Sequence, residues 1–138
     1  MQSIQKLINI FSEFPTVGPR TAARFVYYLI KLPQSEFNDF LSALNDLKKN
    51  IKLCPSCFNP TEQGVCPTCQ DKNRDFSLLC IIEKETDLDS IEKTKKYKGL
   101  YFILGGTINL KKTKETIRIN ELKEKIKSGN FKEIIIAI

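Results

Sequence analysis

Four of the five cysteines fall in two pairs, Cys54-Pro-Ser-Cys57 and, eight residues further on, Cys66-Pro-Thr-Cys69. A C-x-x-C knuckle presents two sulfurs to one side of a tight turn. A connection of this length lets the second knuckle fold back on the first, so that four thiolates can surround one Zn²⁺ tetrahedrally. Four cysteines leave no open coordination position, so the metal would hold structure and do no hydrolysis. Two disulfides or four unlinked buried thiols are the competing readings. Cys80 is left over as a fifth, unpaired thiol, and the opening Met1-Gln-Ser-Ile-Gln-Lys6 lacks the basic-then-apolar order of a secretion signal. Both features favour one structural zinc per chain in a cytoplasmic protein over disulfides.

A second chemistry is suggested around residue 20. Arg20 and Arg24 are four apart and project from one face of the same helix. Gly18 is expected to supply the positive φ of a tight turn, and Pro19 suits the first helical position, where its missing N–H costs nothing. Free amides around Gly18, the positive helix end and two guanidiniums would together make a place for a phosphate. A merely solvated Arg20 is the plainer alternative, since the dipole disfavours a cation there by only ~0.5 kcal/mol. The 138 residues contain no His, which removes the commonest general base at neutral pH.

These residues must be positioned by short elements. Ile4, Leu7, Ile8 and Phe11 form the apolar stripe of a first helix, interrupted at Pro15. A second helix is expected over 19–31. Its apolar residues cover more than one stripe, as in a helix packed on two neighbours or on one neighbour and another subunit. A third follows Pro33, with Ser35 as N-cap and a stripe of Phe37, Phe40, Leu41, Leu44, Leu47 and Ile51. Beyond the cysteines, 78–82 reads as a strand buried on both faces, with Cys80 a core thiol. Thr86 can cap a helix over 87–96. A second strand covers 99–104, closed by Gly105-Gly106. The polar stretch 109–115 reads as a loop. Asn120 can cap a helix through Lys127 that Gly129 stops, and a third strand covers 133–138. Strand, helix, strand, loop, helix and strand in that order imply right-handed crossovers and a parallel sheet. The class is therefore α+β in several parts.

The formal charge of +6 is spread unevenly: +3 over 1–53, −1 over 54–77 and +4 over 78–138. A mildly basic chain suits a nucleic-acid partner, although a solvated surface explains a lysine excess as well. No apolar run approaches a membrane span.

The segment 14–24 resembles a helix-hairpin-helix, with Thr16 where the first hairpin glycine usually stands. The second half resembles a Toprim domain. Taken with the cysteine quartet, Ile81-Ile-Glu83, 97–106 and 118–122, the whole chain is similar to the RecR family of bacterial recombination mediators. The resemblance implies a helix-hairpin-helix region at 1–53, a C4 zinc finger at 54–77 and a Toprim sheet at 78–138. That sheet would be incomplete, because family members run on past 138.

It further implies no catalysis. A homo-oligomeric ring or clamp would hold single- or double-stranded DNA without reading sequence, and RecO- and RecF-like partners would help it load recombinase during repair. Gly18, Arg20 and Arg24 would meet phosphate; Cys54, Cys57, Cys66 and Cys69 would hold zinc; Glu83 would face a partner protein. Two rivals stay open. One is a metal-dependent Toprim enzyme, for which the only Asp-x-Asp is Asp87-Leu-Asp89, in a helix. The other is a partner-binding module that does not hold DNA.

Overall fold

The computed structural model describes residues 1–106 and 117–138, so the loop expected at 109–115 lies outside the described residues. Two compact units are present, Met1–Lys49 and Asn50–Ile138.

The first unit is helical: α1 (Gln2–Ser12), α2 (Pro19–Lys31) and α3 (Gln34–Asn50). Phe11 of α1 meets Phe14 and Phe25 edge-to-face, with centroids 5.4 and 5.7 Å apart, and α2 buries Ala22 and Val26. Ser35 does not cap α3. Pro33 C=O already accepts the Phe37 N–H at 3.0 Å, so the helix begins two residues earlier, at Gln34, and Ser35 lies in its first turn. The expected period of α3 is present, yet Phe40, Leu41, Leu44 and Leu47 on its stripe are exposed.

The turn between α1 and α2 differs from expectation in an informative way. Gly18 is extended, at φ −87° and ψ 173°, and the left-handed residue is Thr16, at φ 65°. Val17 N–H bonds Phe14 C=O at 3.1 Å, which closes a turn with Pro15 at its second position and positive φ at its third. A type II turn has that arrangement and favours Gly in the place Thr16 occupies. Gly18 is not needed for its torsion angles. A Cβ there would meet nothing within 4 Å, so the backbone in front of α2 is open to an approaching group.

The second unit is built on a parallel sheet of β3 (Asp75–Ile82), β4 (Gly99–Ile103) and β5 (Glu133–Ala137), in the order β4-β3-β5. Cys80 pairs with Tyr101 on one side and Ile135 on the other. The two crossovers run in opposite directions across the sheet, and right-handed connections then place their helices on opposite faces. Cys80, Ile82, Tyr101 and Ile103 point to one face and pack with Leu88 of α5 (Glu85–Lys93) and with Cys54, Cys57 and Cys66. Leu79, Ile81, Leu100, Phe102 and Leu104 point to the other, covered by Ile119 and Leu122 of α6 (Ile119–Ser128) and by Phe131. The double-sided burial expected of 78–82 follows from this central position, and Cys80 is a core thiol at 3% exposure.

The helix ends depart from the expected caps. Lys84 caps α5, and the Asp87 carboxylate accepts its N–H at 3.1 Å, so Thr86 is inside the helix. Arg118 precedes α6, and Asn120 likewise lies within it. Gly129 does end α6, with φ −95°; it is glycine because a Cβ would collide with the Phe131 ring. A hairpin of β1 (Lys52–Leu53) and β2 (Pro60–Thr61) and the one-turn α4 (Pro67–Gln70) frame the knuckles. Among the described residues no helix is long and apolar enough to cross a membrane.

Candidate metal centre and nucleic-acid interface

Each knuckle is formed by short-range backbone bonds. Cys54 N–H donates to Asn59 C=O at 2.9 Å, and Phe58 N–H to Cys54 C=O at 2.8 Å. The second knuckle leads directly into α4, where Gln70 N–H reaches Cys66 C=O at 3.1 Å. Phe58 takes φ 66°, a conformation costly for a bulky residue. Its ring is held between Phe102, edge-to-face at 5.4 Å, and the Arg118 guanidinium at 4.8 Å. Cys57 C=O accepts the Ile103 N–H at 2.9 Å, which fastens the knuckle to the outer edge of β4.

The four Sγ atoms lie within 4.8 Å of one another, with Cys57 and Cys66 3.5 Å apart, and all five cysteines are unlinked. Among the described residues this is the one group of three or more metal-ligating side chains close enough to share an ion. Sulfurs about 2.3 Å from a common centre in a tetrahedron stand at such separations. Cys66 N–H points at Cys54 Sγ at 3.5 Å, as suits a thiolate. The donor set fits one Zn²⁺, which supplies cross-linking and no open coordination position.

The thiols are poised as a group. The hydrogen bond shared by Cys57 and Cys69 pushes Cys57 far up and brings Cys69 down to about 5, so the pair sheds one proton easily and keeps the second. Burial raises Cys54, but bonds from backbone amides outweigh it and leave the thiol low. Burial pushes Cys66 up. A metal ion must displace the remaining protons, which ties its binding to pH.

Two side chains beside the quartet were not legible in its spacing. Lys125 Nζ, on α6, donates to Ser56 C=O at 2.6 Å and to Ser56 Oγ at 2.8 Å, across 69 positions of sequence. Ser56 in turn helps to draw the Cys69 thiol down. Burial draws the Lys125 ammonium down, and the four cysteine sulfurs oppose that shift. Lys125 is thus a cation placed behind a cluster that becomes dianionic with zinc bound. No local pattern announces it; α6 reads as an ordinary lysine-rich helix.

Arg74 is the second of these side chains. Its guanidinium pairs with Glu92 of α5 at 2.5 and 3.1 Å and donates to Gly99 C=O at 3.0 Å, while Tyr101 Oη–H donates to the same carboxylate at 2.5 Å. Burial pushes Glu92 up, but the bonds from Arg74 and Tyr101 outweigh it and hold the carboxyl below its ordinary value. The segment leaving the second knuckle is thereby clamped to α5 and β4.

Arg20 and Arg24 both lie exposed on α2, the first at its N-terminal turn beside Gly18. Glu83 is half-buried just past the C-terminal end of β3, where its C=O accepts the Gly105 N–H at 2.9 Å. Gly105 takes φ 90° and makes the turn that follows β4. Asp87 and Asp89 are both within α5, and Asp87 is engaged in capping it.

Three family models match the chain: the RecR helix-hairpin-helix over residues 4–48, the RecR four-cysteine zinc finger domain over 51–71 and the Toprim domain over 77–138. Curated relatives extend along nearly all of it. The recombination protein RecR of Bifidobacterium adolescentis is 36% identical over 138 residues, covering 99% of this chain and 69% of the relative. That of Rubrobacter xylanophilus is 38% identical with the same coverage. That of Staphylococcus saprophyticus is 37% identical over 99% of this chain and 70% of its own length. The chain therefore spans about 69% of the relatives it matches.

Proposed function

The chain belongs to the RecR family, and from that premise we propose that it is a DNA-binding mediator of recombinational repair. It holds single- or double-stranded DNA by the phosphates, without reading sequence and without catalysis. The observation that carries the reading is the hairpin of the first unit. The backbone at Gly18 is open in front of the N-terminal end of α2, Arg20 is exposed in the first turn and Arg24 one turn further along the same helix, an arrangement that supports an anion at that end. The zinc centre is a structural brace for the second unit.

RecO- and RecF-like proteins are the partners, and Glu83, at the end of the central strand, is a contact to one of them. The protein acts in the cytoplasm, at the nucleoid. Self-association draws support from α3, whose exposed Phe40, Leu41, Leu44 and Leu47 form a stripe of the kind subunits bury against each other. Titration of unrelated DNA sequences at two salt concentrations, beside sizing of the protein, tests this reading. Similar affinities for all sequences, falling steeply with salt, are expected. Binding of a partner protein with no DNA binding at either salt would replace it with the partner-module reading.

A further inference from the structure

One feature of α2 goes unused by a hairpin that grips only phosphate. Arg20, Arg24, Tyr27, Tyr28 and Lys31 recur at i, i+4, i+7, i+8 and i+11, and so share one face of the helix. That face is opposite Ala22 and Val26, the residues α2 buries. The Tyr27 and Tyr28 side chains are 50% and 65% exposed, which leaves both rings free for contact. Core packing does not account for rings placed there. The helix carries three cations and no acid over its 13 residues, so the face bearing the rings is positive throughout.

We propose that the outer face of α2 is a stacking platform for single-stranded nucleic acid, with Tyr27 and Tyr28 receiving bases and Arg20, Arg24 and Lys31 meeting the flanking phosphates. From Arg20 to Lys31 the face runs about 16 Å at 1.5 Å per residue, enough for a few nucleotides. Base faces are free in a single strand and covered by neighbours in a duplex, so exposed rings favour the former, whatever its sequence. A second copy of the chain is a poorer occupant. Two such faces meeting across a two-fold axis would set cations against cations. The proposal rests on the DNA-binding reading above and adds to it the strand form and three residues, Tyr27, Tyr28 and Lys31.

The test uses the full chain, an oligothymidylate and a mixed-sequence duplex of equal length. The Y27S/Y28S variant is expected to lose at least about fivefold in affinity for the oligothymidylate, with duplex affinity changed by less than about twofold. Y27F/Y28F, which keeps both rings, is expected to bind like the parent. A spectroscopic signature is also available. The chain has no Trp and four Tyr; Tyr97 and Tyr101 are tied to Leu100 C=O and Glu92 within the second unit. Quenching of tyrosine emission by oligothymidylate in the parent, lost in the Ser variant, therefore reports on α2. Equal losses on both nucleic acids, no loss on the single strand, or a change of oligomer size in their place would overturn the platform while leaving DNA binding intact. Failure of the parent chain to bind either nucleic acid would overturn the underlying reading and the platform with it.

Discussion

Thr16 holds the hairpin turn at φ 65°, a torsion that a β-branched side chain adopts at a cost of about 1–2 kcal/mol. Substitution Thr16→Gly is expected to stabilise the first unit by about 1 kcal/mol, less than the full relief because glycine loses more backbone entropy on folding. Chemical denaturation followed by helical circular dichroism measures it, and a destabilised variant would show that the Thr side chain holds the turn by contacts that outweigh the strain. Residue type alone points to Gly18 for this torsion; the sign of the right position is the resemblance to a helix-hairpin-helix, which sets Thr16 where the first hairpin glycine usually stands. The cysteines were legible for the opposite reason. Ligating one ion from two knuckles demands a fixed local spacing, and spacing is what a sequence displays directly.

At the scale of elements, periodicity revealed what was long and missed what was short. The helices of the first unit carry repeating apolar patterns, the three strands are continuous apolar runs, and the two crossover helices are marked by capping residues and the glycine that follows the second. The two-residue strands β1 and β2 and the four-residue α4 are too brief to carry a pattern. The helices expected to start after caps at Ser35, Thr86 and Asn120 all start earlier, with those residues inside their first turns. Lys84 and Arg118 occupy the cap positions: at the first the Asp87 carboxylate, three residues on, accepts the Lys84 N–H, and at the second Arg118 is held by bonds to Leu104 C=O and Ile103 C=O. The link between α6 and the first knuckle was invisible for a related reason: Lys125 and Ser56 meet only once the sheet is formed. Replacing Lys125 by Met removes both bonds to Ser56 and the charge behind the thiolates. The K125M variant is expected to bind one zinc per chain but release it to a chromogenic chelator about tenfold faster. An unchanged release rate would mean that the knuckle is held without Lys125.

For the whole molecule, two units with different chemistry are joined in one chain. The second is a parallel sheet whose β4 edge is closed by a metal-bound knuckle, through Cys57 C=O and the Arg74–Glu92 clamp. The first carries exposed cations and apolar stripes that its own three helices do not cover. The overall charge of +6 suggested an anionic partner without locating it; in the structure Arg20 is exposed in the first turn of α2, next to the open backbone at Gly18, and Arg24 is exposed one turn further along the same helix. The most direct test of phosphate gripping by that hairpin is the salt dependence of DNA affinity in the parent chain and in R20A/R24A. Loss of two phosphate contacts is expected to flatten the slope of log affinity against log salt by about 1.8 on duplex and about 1.4 on single strands, for every sequence tried. A double variant with the parent's slope would contradict it.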